Sequence, residues 1–144
     1  MARRIRFVPE KSLVEITCRT VQARYLLKPV PGWSEIFIGA LARAQRLYRV
    51  DVHAFVCLSN HFHLLVSPQD AHALAAFMRH LLSKLSIEAA RLHGWSGPLF
   101  QRRYQAISIS DEPRAQIQRL RYLLSHGVKE NLVQRTVQWP GPQW

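Results

Sequence analysis

The chain has 144 residues, of which 48% are hydrophobic, and this is enough for a single domain with its own core but too little for two. The formal net charge is +11 and the pI is about 10.8, so an acidic polymer such as nucleic acid is the expected partner. The two cysteines, Cys18 and Cys57, lie in apolar runs without metal-type spacing, which excludes a disulfide scaffold. No apolar run is long enough to span a bilayer, so we expect a cytoplasmic protein.

The first predicted element is a strand over residues 13–20. Its apolar and polar residues alternate, which is typical of a strand with one buried and one wet face. The predicted buried side carries Val14, Ile16 and Cys18, and the predicted wet side carries Glu15, Thr17 and Arg19. A loop follows over residues 24–33, which contain two prolines and a glycine. Its basic residues, Arg24 and Lys28, either contact phosphate or are simply solvated.

A helix is predicted over residues 34–48, with Ser34 as its N-cap. Its apolar residues recur at helical spacing: they are Phe37, Ala40, Leu41, Ala44 and Leu47. Residues 51–58 then read as a buried strand, and Ser59-Asn60 makes a tight turn into the next strand. The two strands are therefore expected to pair as a hairpin.

The strand after this turn begins with two histidines separated by one residue, His61 and His63. Because side chains alternate along a strand, both histidines lie on one face and the intervening Phe62 lies on the other. One face could therefore hold an ion while the other anchors the core. On its own, such a pair can also be an accident of composition.

A long helix is predicted from Ser67 and Pro68, which are taken as its cap and first position, to about His93, with Gly94 as the C-terminal cap. Its apolar stripe consists of Leu74, Phe77, Met78, Leu81, Leu85, Ala89 and Leu92. A short strand over residues 104–110 follows, with Ile107 and Ile109 expected on its buried side. Just before it, Arg102 and Arg103 lie between Phe100 and Tyr104, a pattern suited to stacking bases and holding phosphates.

The last predicted helix is capped by Ser110 or Asp111, has Pro113 in its first turn and ends at about Gly127. Ile117, Leu120 and Leu124 share one sector of this helix, which is expected to face the sheet. Tyr122 and His126 are four residues apart and therefore adjacent, on the opposite side. Tyr122 is then either an interface tyrosine or one with a free hydroxyl.

The order strand, helix, strand, strand, helix, strand, helix predicts an α+β fold of the ferredoxin-like split βαβ type. This fold has a four-stranded antiparallel sheet with helices on one face, plus a C-terminal helix that carries the tyrosine. The open face is expected to carry the histidines and the polar side of the first strand. We expect one domain over residues 1–133 and an irregular tail over residues 134–144.

Three segments together resemble a known family. They are the His61-Phe62-His63 strand, the Phe100 to Tyr104 segment and the late helix with Tyr122 and His126. In this order, on a basic chain, they are similar to the HUH single-tyrosine transposases of bacterial insertion sequences, and especially to the REP-associated tyrosine transposases.

The resemblance implies a metal-dependent endonuclease and strand transferase that acts on single-stranded or hairpin DNA. His61 and His63 match the metal-binding histidines, and Tyr122 matches the nucleophile that forms a 5′-phosphotyrosine link and frees a 3′-hydroxyl. A divalent metal, Mn²⁺ or Mg²⁺, would polarise the scissile phosphate. The residues expected to contact DNA are Arg19, Arg24, Lys28, Arg102, Arg103, Tyr104, Arg119 and Lys129.

The chain departs from the family at His126, where members usually carry Gln or Asn as a further metal ligand. The spacing from Tyr122 suits the same ion, and imidazole can ligate. Three imidazoles favour Mn²⁺ or another transition ion over Mg²⁺. We therefore expect His61, His63 and His126 to form the metal site.

Two other functions remain open at this stage. A domesticated, catalytically silent nucleic-acid-binding protein would need the basic surface but not the histidines and Tyr122 together. A metal-dependent hydrolase would use the histidines with water and leave Tyr122 structural. The residues do not identify the DNA target. They also leave open whether the protein is a monomer or a homodimer, and therefore whether the tyrosine acts in cis or in trans.

Overall fold

The computed structural model describes residues 7–144, so the basic segment 1–6 of the expected domain lies outside the described part. Four strands alternate with helices in the order predicted from the sequence, and the α+β class is confirmed. The elements are β1 Val14–Arg19, α1 Trp33–Tyr48, β2 Val50–Cys57, β3 His61–Pro68, α2 Ala71–His93, β4 Gln105–Ser108, α3 Pro113–Leu124 and the short α4 His126–Lys129. Single 3₁₀ turns lie at Val21–Ala23 and Thr136–Gln138.

The four strands form one antiparallel sheet in the order β2-β3-β1-β4, the arrangement of the ferredoxin-like fold. The predicted hairpin is present, because β2 pairs with β3 across the turn at Ser59 and Asn60. In the register between β1 and β3, Thr17 lies opposite His63 and Arg19 lies opposite His61. The polar side of β1 and the two histidines therefore share one face of the sheet, as the alternation predicts.

Helices α1 and α2 cover the other face and enclose the larger core. The apolar sides of β1 and β3 point into this core, together with the predicted stripes of both helices. In the stripe of α1, Leu47 is an exception, because it lies exposed near the end of the helix. Burial of these alternating and helical patterns is the main favourable contribution to the fold.

The histidine face is not open, contrary to the prediction. α3, α4 and the C-terminal tail lie across part of it and form a smaller apolar cluster with β2 and β3. Leu123 of α3 and Trp139 of the tail are buried there against Ala54 and Val56. The reason is that these strands also carry apolar side chains on this face, and such side chains need a cover of their own.

The tail extends the sheet at the outer edge of β2. The Trp144 amide donates to the Phe55 carbonyl at 2.8 Å, and the Cys57 amide donates to the Pro142 carbonyl at 2.9 Å. The indole N–H of Trp139 also donates to the Cys57 carbonyl, at 2.9 Å. These bonds satisfy backbone groups that an exposed edge strand would leave unpaired.

Four predicted helix boundaries differ from the structure. Ser34 is not the N-cap of α1, because the helix begins at Trp33 and its N-cap residue is Gly32. Ser67 and Pro68 end β3 and do not begin α2, whose N-cap is Asp70, with its side chain accepting from the Ala73 amide at 2.7 Å. Gly127 lies inside α4, so it does not end the last helix, and Glu112 is the N-cap residue of α3.

β4 is also shorter than predicted, at the edge of the sheet. Ile109 is buried in the smaller cluster, but Ile107 is exposed because nothing covers the edge strand at that point of the described structure. Within residues 7–144, no helix has both the length and the apolar character needed to cross a membrane.

Candidate active site

Three histidines converge on the face that α3 and α4 partly cover. His61 and His63 come from β3, and His126 comes from the start of α4. One ring nitrogen from each lies within 4.8 Å of the others, and all three side chains are buried, at 3–4% exposure. The structure thus brings together three histidines that are up to 65 positions apart in the chain.

Neighbouring oxygen atoms orient both strand histidines. The Nδ1 of His61 lies 2.6 Å from the side-chain oxygen of Asn60, and the Nδ1 of His63 lies 3.2 Å from a carboxylate oxygen of Glu15. Amide and carboxylate oxygens only accept hydrogen bonds, so each Nδ1 carries the proton. The lone pair of each histidine is then on Nε2, which is the form that binds a metal.

The nitrogen atoms fit a metal ion. The Nε2 atoms of His61 and His126 are 3.1 Å apart, and ligand bonds of about 2.1 Å separate neighbouring ligands by about 3.0–3.4 Å. The Nε2 of His63, the third nitrogen of this set, is buried without a hydrogen-bond partner. A buried polar atom without a partner is costly, and an ion bound by these histidines would relieve that cost.

His61 and His126 are also held in the neutral state that ligation needs. Burial, followed by the nearby charges of His63, Arg19 and His126, lowers the pKa of His61 to about 3. Burial and the charge of His63 are the main causes that lower the pKa of His126 to about 4. Both imidazoles are therefore unprotonated at neutral pH, so protons do not compete with a metal there.

The last helix is rotated relative to the prediction. Tyr122 and His126 are adjacent, as their spacing predicts, with ring centroids 5.3 Å apart, but they face the sheet histidines. Ile117 and Leu120, which were expected to face the sheet, are 52% and 37% exposed, and the buried leucine of α3 is Leu123. The polar cluster on the sheet accepts the polar side of α3, so amphipathicity alone predicts the wrong rotation.

Aromatic and basic side chains surround Tyr122. Its ring lies edge-on to that of His63, at a centroid distance of 6.4 Å. The Nζ of Lys129 lies 4.0 Å from the centre of the Tyr122 ring, and the guanidinium carbon of Arg119 lies 5.5 Å from it. Such cation–π contacts fix the ring and place two positive charges beside the hydroxyl-bearing residue.

Glu15 also belongs to this cluster, and the sequence reasoning assigned it no role in the site. Its side chain was expected to be exposed to solvent, but it is buried. One of its carboxylate oxygens lies 2.8 Å from the Arg119 guanidinium. Burial alone raises the pKa of Glu15, but the hydrogen bond from His63 and the charge of Arg119 outweigh this and lower it below the usual value. The sequence signal for a role in the site was that Glu15 places a carboxylate on the polar side of β1, the same strand face as Thr17.

Basic residues predicted to contact DNA lie in two places near the histidines. Arg19, Arg102 and Arg103 line a cavity of about 250 Å³ together with Thr17, whose hydroxyl is 3.1 Å from the Nδ1 of His63. Arg119 and Lys129 flank Tyr122. The structure therefore places five of the predicted contacts beside the cluster.

The remaining predicted contacts lie elsewhere. The guanidinium of Arg24 stacks over the Trp95 ring at 4.9 Å, and Lys28 is exposed in the same loop. Tyr104 was expected to contact DNA by stacking on a base, but its side chain is 9% exposed and packs in the larger core. Its aromatic ring contributes a large apolar area to that core, which favours burial over exposure to a base.

The family assignment follows from a comparison with family models. The model described as "Transposase IS200 like" matches residues 19–123, which is most of the chain and includes both strand histidines and Tyr122. The chain belongs to the IS200-like transposases. The transposase is accordingly an enzyme that cleaves and rejoins DNA, and its resemblance to the HUH single-tyrosine transposases is confirmed.

Two solved structures share the fold of the transposase. A REP-associated tyrosine transposase bound to a REP hairpin superposes with a TM-score of 0.78 at 16% identity, covering 98% of this chain and 81% of that one. A protein from Deinococcus radiodurans R1, described as a candidate transposase, superposes with a TM-score of 0.56 at 18% identity, covering 92% of this chain and 98% of that one. The comparison with curated proteins gave no match.

Proposed function

We propose that the transposase is a metal-dependent endonuclease and strand transferase that acts on single-stranded or hairpin DNA through a 5′-phosphotyrosine intermediate. One observation carries this proposal. The ring of Tyr122 lies directly against His126 and His63, which belong to a cluster of three buried imidazoles with ligand geometry. A nucleophile beside a metal site is what phosphodiester cleavage requires.

In the proposed reaction, the phenolic oxygen of Tyr122 attacks the scissile phosphorus and loses its proton. The new bond joins this oxygen to phosphorus, and the bond from phosphorus to the 3′ oxygen breaks. The 3′ oxygen leaves as a hydroxyl after it takes up a proton. Because the bond to tyrosine keeps the energy of the phosphodiester, another 3′-hydroxyl can reverse the step and join two strands.

The side chains around Tyr122 have separate tasks in this reaction. His61, His63 and His126 would hold the ion, which when bound polarises the scissile phosphate. Arg119 and Lys129 hold the tyrosine ring and attract the phosphate to its hydroxyl. Three nitrogen ligands favour Mn²⁺ over Mg²⁺, because Mg²⁺ prefers oxygen ligands.

The DNA is proposed to approach along the cavity next to the histidines. Arg19, Arg102 and Arg103 surround it and suit the phosphates of a strand that leads to the cluster. The related REP-associated transposase was solved with a REP hairpin, and this supports hairpin DNA as the substrate class here. DNA as the substrate also supports a cytoplasmic location.

We propose that the tyrosine acts in cis, whether the protein is a monomer or a homodimer. Support comes from the contact of Tyr122 with the histidines of its own chain. We propose that residues 1–133 form the transposase domain and that residues 134–144 form its tail. The bonds of the tail to β2 support treating the two as one folding unit.

A covalent-adduct assay tests the proposal. The full chain is incubated with Mn²⁺ and a labelled pool of DNA hairpins whose single-stranded flanks are randomised, and adducts are separated under denaturing conditions. Wild type is expected to form an adduct, and Tyr122→Phe is expected to form none. The matched control is Tyr25→Phe, which removes the hydroxyl of an exposed tyrosine and is expected to react like wild type. Sequencing the captured DNA then reports the cleavage site.

The alternatives give different results in the same assay. A catalytically silent binding protein would retain the pool on a filter without forming any adduct. A hydrolase that uses water would cut the DNA in both wild type and Tyr122→Phe, without an adduct in either. Adduct formation by Tyr122→Phe would refute the assignment of the nucleophile.

A further inference from the structure

Glu15 is a buried carboxylate whose two oxygens contact two different elements of the site. It is the second residue of β1, with 3% of its surface exposed. Its Oε1 faces His63 of β3, and its Oε2 faces Arg119 of α3. A buried charge is tolerated only where partners compensate it, so both contacts matter to this side chain.

The first contact sets the orientation of a metal ligand. The Nδ1–H of His63 donates to Glu15 Oε1 at 3.2 Å, and Thr17 Oγ1 lies 3.1 Å from the same nitrogen. A carboxylate at this position fixes the tautomer and the ring plane of a histidine and increases the basicity of its other nitrogen. Glu15 lies on the Nδ1 side of the ring, away from Nε2, so it acts through His63 and is not itself a ligand.

The second contact sets the position of the nucleophile. The Arg119 guanidinium lies 2.8 Å from Glu15 Oε2 and at the same time covers the Tyr122 ring at 5.5 Å. Arg119 is about one-third exposed. A long arginine side chain in such a place has many rotamers in water, and an ion pair with a buried carboxylate selects one of them.

We propose that Glu15 is a positioning residue that joins the metal ligand His63 to the Arg119–Tyr122 pair. One carboxylate then fixes the distance between the ion site and the nucleophile. This inference rests on the proposed function, because it assumes that His63 ligates a metal and that Tyr122 attacks the phosphate.

The test compares Glu15→Gln with wild type in the full chain. Titration calorimetry with Mn²⁺ alone, without DNA, measures the affinity of the ion site. We expect about 10-fold to 100-fold weaker binding, the usual effect of losing a carboxylate behind a metal-ligating histidine. We also expect the adduct to form about 10-fold more slowly even at saturating Mn²⁺, because Arg119 no longer holds Tyr122 in place. The matched control is Glu35→Gln, which removes the same charge from the exposed start of α1.

Two further variants separate the two contacts. Arg119→Lys keeps a positive charge beside Glu15 but removes the planar guanidinium that covers the Tyr122 ring, so it should slow adduct formation while changing the Mn²⁺ affinity by less than about threefold. Glu15→Met with Arg119→Met removes the buried pair together, which proteins often tolerate without loss of stability. This double variant provides the measurement if Glu15→Gln does not fold, and it should show both defects. Thermal melting of each protein without metal identifies effects that come only from unfolding.

The inference is overturned if folded Glu15→Gln, or the double variant, binds Mn²⁺ as tightly as wild type, or forms adduct at the wild-type rate once Mn²⁺ is saturating. A lower melting temperature with neither defect would show a purely structural role and would also overturn it. Failure of the proposed function gives another pattern, in which wild type itself does not bind Mn²⁺ or Tyr122→Phe still forms the adduct.

Discussion

Replacing Trp139 by Ala should destabilise the protein strongly, although this residue lies in a tail that the sequence left without a structural role. Its side chain is 9% exposed and packs in the smaller cluster with Leu123. Its indole N–H also donates to the Cys57 carbonyl. The substitution removes both the packing and the hydrogen bond.

The magnitude follows from the buried area. A buried tryptophan removes about 150–250 Å² from water, which at about 25 cal/mol per Å² is worth about 4–6 kcal/mol. Residual compactness of the unfolded chain lowers this figure, so we expect a loss of about 3–5 kcal/mol. That is a large part of the total of about 5–15 kcal/mol typical of a domain.

The same substitution should weaken metal binding. Gly127 in α4 lies close to Trp139, since a Cβ placed on Gly127 would be 3.7 Å from the Cβ of Trp139. α4 also carries His126. Loss of the indole therefore loosens the element that supplies the third proposed ligand, and the Mn²⁺ affinity should fall.

Urea unfolding measures the stability, and calorimetry with Mn²⁺ measures the binding. Trp144→Ala is the matched control, because Trp144 is in the same tail but is 71% exposed, so its loss should cost about 1 kcal/mol or less. The reasoning is refuted if Trp139→Ala costs no more than Trp144→Ala. It is also refuted if Trp139→Ala unfolds at a much lower urea concentration but binds Mn²⁺ with wild-type affinity while folded.

Three further predictions concern a buried glycine, the metal and pH. Gly141→Ala should lower the free energy of unfolding, measured with urea, by about 1–3 kcal/mol, because the new Cβ would lie 2.5 Å from the Trp139 indole nitrogen. The control is Gly39→Ala in α1, where the new Cβ meets no atom within 4 Å and should stabilise the helix by about 0.5–1 kcal/mol. His126→Gln replaces a nitrogen ligand by an oxygen ligand and should lower the ratio of the Mn²⁺-supported to the Mg²⁺-supported rate of adduct formation by about 10-fold. The metal-free protein should lose stability as the pH falls from 6.5 towards 4. In this range His61 and His126 take up protons in the unfolded chain but not in the folded chain, where their pKa values are about 3 and about 4. Urea unfolding at several pH values measures this, and the free energy of unfolding should fall by at most about 1.4 kcal/mol per pH unit for each of the two histidines.

Each of these has a result that would contradict it. Equal effects of Gly141→Ala and Gly39→Ala would show that the tail is not packed as described. An unchanged metal preference in His126→Gln would remove His126 from the proposed ligand set. A double variant, His61→Asn with His126→Asn, should show a shallower pH dependence than wild type, and an unchanged slope would mean that other groups cause it.

Much of the site is local in the sequence and could be predicted from it. Alternation along β3 places His61 and His63 on one face whatever the rest of the chain does, and helical spacing places Tyr122 beside His126. The order of elements was likewise enough to indicate the ferredoxin-like sheet. The first two depend only on the geometry of one strand or one helix, and the third depends only on the order of elements along the chain.

Other features could not be predicted, because they depend on what lies opposite. From its place in β1, Glu15 is predicted to be exposed to solvent, but in the structure Arg119 and His63 enclose it. Tyr104 reads as a surface aromatic until the helix layer is seen to bury it. In both cases burial depends on side chains from other elements, and the alternation along a single strand carries no information about those side chains.

The sequence by itself therefore determined the fold class, the histidine pair and the family resemblance, since each follows from periodicity or from motifs in chain order. Only the tertiary structure decided how α3 is rotated, that the tail completes the sheet edge, and that Glu15 lies between the proposed ligand and the nucleophile. The physical reason is the same for all three. A helix, tail or carboxylate takes the position in which its polar atoms find partners and its apolar atoms are covered, and those partners come from distant parts of the chain.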